Sequence, residues 1–311
     1  MFKILDCTLR DGGYINNWEF GEDNIKNYLE CILNTNVDYV EAGFLVEKPV
    51  TMNQSLYNNV SDITFNSDKI TLMMAYGKYK AKNLPHSSLS SVKNIRYIFK
   101  HKEINPALNE INIVKEKGYN LFINPTFIST YDNKEISDLT EKINLIKPFC
   151  YTIVDSMGVL DKKRFIHIFN LFNDNLCSDI AIGIHLHNNL NYINENINAL
   201  LNIKTKRTVI LDATLSGIGR GSGNPVLENY IKINKNANIY LKNAIDKFLS
   251  VNKQKYKLAA LNNCHPCYAS YLIKNNIEDK ISDSIFQSIP LEFKTNYNRA
   301  VIEKIVGEYK L

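Results

Sequence analysis

No run of apolar residues in this chain is long enough to span a bilayer, because Lys, Asn and Asp interrupt each one. The N-terminal Met-Phe-Lys-Ile-Leu-Asp lacks the basic-then-apolar layout of a secretory leader, so the expectation is a cytoplasmic protein with reduced cysteines. No stretch interleaves basic residues with aromatics. The excess of 37 Lys plus Arg over 32 Asp plus Glu is small and scattered, which argues against a nucleic-acid surface. No G-x-G-x-x-G follows the first strand pattern, which disfavours a dinucleotide fold. No Pro/Gly/Ser linker divides the chain, and tryptophan occurs once, at Trp18. What remains is 311 residues, 45% of them hydrophobic, enough for one large domain or a large one with a small appendage.

Short β-branched runs recur at residues 3–8, 39–44, 70–75, 95–99, 121–126, 150–155, 181–187 and 208–212. Segments with helical spacing separate them, among them 22–33, 106–117, 134–146, 161–172, 192–203 and 224–234. Eight strands alternating with helices fit an α/β fold, a (β/α)8 TIM barrel; a doubly wound open sheet shows the same periodicity. Strand signals stop after Lys235. The expected division is a catalytic barrel over 1–236 and a small C-terminal helical appendage over 237–311, packed on the barrel.

In such a barrel the active site lies at the carboxyl ends of the strands, so the polar residues there carry the argument. Arg10 and Asp11 follow strand 1 and precede two glycines. Glu41, Asn124, Asp155 and Asp212 are read as ending strands 2, 5, 6 and 8. A surface ion pair would account for Arg10-Asp11 alone. Strand 7 adds His185-Leu186-His187, and histidines two apart on a strand share a face. With Asp11 they make a two-His, one-carboxylate set that leaves positions open for substrate and water. Those donors admit Mn²⁺, Mg²⁺, Co²⁺, Zn²⁺ or Fe²⁺. His86, His101 and His167 lie among polar residues and read as surface; Cys7, Cys31, Cys150 and Cys177 read as core.

Leu9-Arg10-Asp11-Gly12, His185-Leu186-His187-Asn188 and the loop Gly217-Ile218-Gly219-Arg220-Gly221-Ser222-Gly223-Asn224 together resemble the DRE-type TIM-barrel metallolyases. Asp155-Ser156-Met157-Gly158 and His187-Asn188-Asn189-Leu190 bring the resemblance nearest the 4-hydroxy-2-oxovalerate aldolases. The resemblance implies a metal-dependent lyase forming or cleaving a 4-hydroxy-2-oxo acid from a 2-oxo acid, pyruvate, and an aldehyde. It implies a divalent cofactor, with Mn²⁺ first, on Asp11, His185, His187 and Asn224. Asn224 reads equally as a helix N-cap before Pro225. Arg10 would steady the enolate oxygen. Glu41 would orient Arg10 or a water, or form only an interior salt bridge. Asn124, Asp155 and Ser156 are expected at the substrate. An aldehyde dehydrogenase partner is a family trait, and a homo-oligomer is expected.

The chain departs from the aldolases at Tyr14, where they place a histidine that acts as general base. A tyrosine near pH 7 is a poor base unless its pKa falls; as a donor it serves well. The surrounding 14–20 segment, with Trp18, is expected to shape the aldehyde pocket. In the tail, Cys264-His265-Pro266-Cys267 suggests redox or zinc chemistry, but no second C-x-x-C and no thioredoxin-like context accompanies it. These read as reduced thiols at a helix start, and His265 and Tyr268 as residues that reach over the barrel mouth. A Claisen condensation with acyl-CoA, a two-His, one-carboxylate iron oxygenase and a non-catalytic partner protein are the alternatives.

Overall fold

The computed structural model describes residues 2–309. Eight parallel strands form its centre: β1 (Phe2–Asp6), β2 (Tyr39–Leu45), β3 (Ile70–Ala75), β4 (Asn94–Phe99), β5 (Asn120–Pro125), β6 (Cys150–Asp155), β7 (Ala181–Leu186) and β8 (Val209–Ala213). Each pairs with its neighbour in chain order, and β1 pairs with both β2 (Leu5↔Tyr39) and β8 (Phe2↔Val209), so the sheet closes on itself. This is the (β/α)8 barrel. A two-residue strand, Leu56–Tyr57, pairs outside it with β2.

Helices α1 (Glu22–Leu33), α2 (Ile104–Glu116), α3 (Asn133–Ile146), α4 (Lys162–Asn175) and α5 (Ile193–Leu201) pack on the outside. Their local causes are plain in α3. Asp132 caps it by accepting from the Glu135 N–H, the Glu135 side chain returns the bond, and Ile136, Leu139, Ile143 and Ile146 line the buried face. Asp161 caps α4 by accepting from the Arg164 N–H, and Phe165, Ile168, Phe169 and Phe172 bury its inner stripe. Beyond the barrel come α6 (Lys242–Leu249), α7 (Lys253–Leu261), α8 (Pro266–Lys274), α9 (Asp279–Ser288) and α10 (Arg299–Tyr309). Ala244, Ile245 and Phe248 join the main core, whereas Tyr256 through Val306 build a second apolar cluster. Among the described residues no helix is long and apolar enough to cross a membrane.

Two expectations need correction. Strand 1 ends at Asp6, and Thr8–Asp11 is a helical turn. The Asp6 carboxylate accepts from the Thr8 amide at 3.0 Å and bends the chain there. Residues 224–234 are not a helix. Thr214 pairs with Val226 in a parallel bridge and donates to the Pro225 carbonyl, so the segment leaves β8 extended and holds only the turn Leu227–Asn229.

Alternate strand positions point inward. Leu5, Tyr39, Phe122, Cys150, Ala181 and Ile210 form one apolar cluster; their alternate neighbours Glu41, Thr152, Gly183, Arg96 and Asp212 form the next layer, and Asn124 and His185 stand above. The outer core, where Tyr151 stacks on Phe172 at 4.3 Å, holds strands to helices. Phe172→Ala should therefore lower the unfolding free energy by about 3–5 kcal/mol with an unchanged denaturant m-value, measured by urea titration.

Candidate metal centre

The turn after β1 and the end of β7 bring Asp11, His185 and His187 together, all buried, with one ligand atom from each inside a 4.8 Å span. His185 Nε2 lies 3.7 Å from Asp11 Oδ1, and His187 Nδ1 lies 3.9 Å from Asp11 Oδ2. The two imidazoles stand perpendicular, 4.9 Å apart. His187 falls one residue past β7, yet the pair still converges.

Beneath them runs a closed circuit of buried charge. Arg10 Nη1 donates to Asp11 and its Nε to Glu41 Oε2 at 2.7 Å. Arg96 Nη1 donates to the same Glu41 oxygen at 3.0 Å, and its Nη2 to Asp212 Oδ2 at 2.5 Å. Asp212 Oδ2 then accepts from His185 Nδ1 at 2.9 Å, which returns the circuit to Asp11. That bond places the proton on Nδ1 of His185 and leaves Nε2 with its lone pair. Glu41 is the third residue of β2, not its end. A β-bulge between Glu41 and Phe44 lies beside it, and Gly43 there has no room for a Cβ, which would come within 1.9 Å of the Ser55 carbonyl oxygen.

Burial acts to raise the Asp11 pKa, but Arg10 and the two imidazoles pull it well below the usual carboxylate range. Burial pushes His187 down to about 3 despite the opposing pull of Asp11, so its ring is neutral at pH 7. Three carboxylates against two guanidiniums leave the circuit one net negative charge, the imidazoles apart. His187 Nδ1 and Asn224 Oδ1 are buried without a hydrogen-bond partner. Buried unpaired atoms on an imidazole and an amide beside the Asp11 carboxylate suit a divalent cation. A second group, Cys7, His185 and Asp212, also clusters. It suits a metal less well: burial holds the Cys7 thiol protonated, and Asp212 is already committed to Arg96 and His185.

The structure divides the remaining expected residues. Asn224 is not a helix N-cap; its Nδ2 donates to Asp11 Oδ2 at 2.6 Å and to the Ile218 carbonyl at 3.2 Å. Gly219 permits this, since a Cβ there would come within 1.9 Å of Asn224 Nδ2. Asn124, Ser156 and Tyr14 line the cavity with the metal set. With its amide turned so that the oxygen faces Arg96, Asn124 accepts from Arg96 Nη2 at 2.9 Å and donates to the Phe122 carbonyl at 3.2 Å. Loss of solvent raises the Tyr14 pKa, and Arg220 and Arg10 do not offset it, so the phenol stays protonated. Asp155 is absent from the cavity lining: Oδ2 accepts from the Leu160 N–H at 2.9 Å, and burial lifts its pKa to about 6. Tyr268 is also absent; its hydroxyl donates to the Phe293 carbonyl and accepts from the Asn298 N–H, each at 3.0 Å. His265 caps α8, meets Arg220 with Nε2 3.2 Å from Nη2, and packs its ring 5.1 Å from that of Phe127, just past β5. Cys264 and Cys267 are free thiols flanking the first turn of α8.

Two residues escaped the sequence reading. Arg96, 1% exposed, is the hub of the circuit; its signal was a lone arginine inside the apolar strand Asn-Ile-Arg-Tyr-Ile-Phe, where a buried charge demands a partner. Arg220 was quoted only as part of a loop. It lines the cavity, and its backbone N–H donates to Asp11 Oδ2 at 3.1 Å.

The HMGL-like family model matches residues 1–254. A 4-hydroxy-2-oxovalerate aldolase from Geobacillus genomosp. 3 is 24% identical over 246 residues, covering 74% of this chain and 69% of the relative. An oxaloacetate decarboxylase from Mycobacterium tuberculosis H37Rv is 20% identical over 237 residues, 72% of this chain and 67% of the relative. Among solved structures, the N-terminal domain of an aldolase candidate from Bacteroides vulgatus aligns with TM-score 0.66 and 25% identity, covering 88% of this chain and 96% of that one.

Removing Arg96 leaves Glu41 and Asp212 buried without their shared partner. Arg96→Met should cost about 3–5 kcal/mol of stability in chemical denaturation, and adding Glu41→Gln should recover part of that loss.

Proposed function

The chain belongs to the HMGL-like family, and from that premise we propose that it is a metal-dependent cytoplasmic aldolase, joining pyruvate to an aldehyde or cleaving the resulting 4-hydroxy-2-oxo acid. The observation that carries the reading is the buried Asp11–His185–His187 set with unpaired donors on His187 and Asn224. These residues would hold the ion, and Mn²⁺ is our assignment among the cations such donors take. When bound, a divalent cation supplies a Lewis acid that draws charge from the carbonyl of a 2-oxo acid and lowers the cost of its enolate.

The protein groups supply the rest. Asp212 fixes the His185 tautomer and orientation. Glu41 and Asp11 hold Arg10 on the cavity wall, where its delocalised cation stabilises negative charge on the substrate oxygen. Tyr14, protonated, donates to the aldehyde oxygen as the new carbon–carbon bond forms and that oxygen becomes a hydroxyl. The named activity of the decarboxylase relative is compatible with the same scheme, because loss of CO₂ from oxaloacetate leaves the same pyruvate enolate.

Enolate formation can be followed without knowing the aldehyde, as hydrogen–deuterium exchange at the pyruvate methyl group by NMR. Exchange should require Mn²⁺ or Mg²⁺, stop with EDTA, and stop in His185→Ala. No exchange with any divalent metal would overturn the reading. Tyr14→Phe should keep this exchange yet lower the aldol kcat/KM by about a hundredfold or more, as expected for loss of a positioned proton donor; equal loss of both would remove Tyr14 from that role.

A further inference from the structure

Two spaces open off the catalytic cavity. One shares Thr126 with it and is polar, bordered by Lys100 and Lys102. The other shares Tyr14 and Ile98 with it and measures about 550 Å³, within the usual range for a small-molecule site. Its walls are mainly apolar, Trp18, Phe44, Val46, Leu56, Ala75 and Ile98, and the charged Glu47, Lys48 and Lys78 also border it. Phe44, Leu56 and Met73 form their own small apolar cluster with Trp18, Val46 and Ile98 against it, separate from the main core.

Several of these side chains remain half-exposed: Trp18, Val46, Ala75 and Ile98 all retain solvent contact, and Tyr14 is 37% exposed. Tyr14 meets Trp18 edge-on at 4.9 Å, and Trp18 meets Phe44 at 5.5 Å, so the aromatic wall is continuous with the catalytic cavity. The rim carboxylate Glu47 is engaged by the Lys80 N–H and the Asn83 amide at 3.0 and 2.7 Å. Apolar surface left wet beside a polar reaction centre is where substrate, rather than protein, supplies the burial.

We propose that this space is the acceptor subsite and that the physiological aldehyde carries an extended apolar side chain of several carbons. The inference rests on the aldolase reading, and Tyr14 links the two. An aldehyde whose oxygen meets the Tyr14 hydroxyl has its substituent at the wall that Tyr14 shares with the apolar space, whereas Tyr14 does not border the polar one. The donor half of the substrate stays with the metal set and Arg10.

Trp18, the only tryptophan, lines the pocket and gives a readout that needs no turnover. Titration of its fluorescence with straight-chain primary alcohols from ethanol to octanol should show Kd falling about threefold to fourfold per added methylene. Val46→Asp should flatten that series, and Ala75→Phe should confine it to the shorter alcohols. In turnover, kcat/KM should rise from acetaldehyde to hexanal in the wild type and lose that rise in Val46→Asp, with pyruvate exchange unchanged. A flat alcohol series with exchange intact would overturn this inference alone, as would preference for a phosphorylated or polyhydroxylated aldehyde. A change in sedimentation on Val46→Asp would assign the patch to a second copy of the chain and also overturn it. Loss of all exchange with the alcohol series preserved would instead overturn the aldolase reading, and with it the acceptor assignment.

Discussion

The closed circuit Asp11–Arg10–Glu41–Arg96–Asp212–His185 is the constraint on which the rest of the site depends. Charges buried to this degree are tolerated only when each finds a partner of good geometry, because desolvation of a lone ion costs several kcal/mol. Satisfying that demand joins the turn after β1, strands β2, β4 and β8, and the end of β7 through side chains rather than backbone. The layer below is apolar and closes the barrel against water. The floor of the site is thus rigid for electrostatic reasons, independently of anything bound above it.

The circuit also decides which donors are left over. Asp212 takes the Nδ1 proton of His185 and so turns the other ring nitrogen toward Asp11. Asn224 makes both its side-chain hydrogen bonds through Nδ2, leaving the amide oxygen free. His187 keeps a neutral ring with Nδ1 unpaired. Two imidazoles, a carboxylate and an amide oxygen converge over a circuit whose carboxylates outnumber its guanidiniums by one. A protein pays for such unpaired buried acceptors unless a cation completes them.

The barrel was legible because its signal is repetitive: eight apolar runs each separated by room for a crossover. The clustering of Asp11, His185 and His187 was legible because H-x-H at a strand end turns both side chains to one face. What failed was local. The helix assigned to residues 224–234 has the right spacing, but spacing does not register that Thr214 and Val226 bridge and hold the segment extended. Asp155 ends its strand as expected, but its Oδ2 accepts from the Leu160 N–H of its own loop, a bond that strand position alone does not foretell. Arg96 was overlooked because an interior charge within an apolar strand has no meaning until its partners are known, and those lie 55 and 116 residues away.

Position relative to the circuit also separates what the family constrains from what it leaves open. Asp11, His185 and Arg10 cannot change without uncovering another buried charge, so the make-up of the metal set is tied to stability. Tyr14, Trp18 and Val46 lie beyond the ends of β1 and β2, and none is a member of the circuit. A substitution there alters shape and hydration at the mouth but leaves the ion pairs beneath intact. Replacing a basic imidazole by a protonated phenol at position 14 is such a change: it trades proton acceptance for hydrogen-bond donation and adds an aromatic wall. Under the proposed aldolase reading, relatives at 20–24% identity bear on the buried metal set, whereas the acceptor has to be read from the rim of this chain itself.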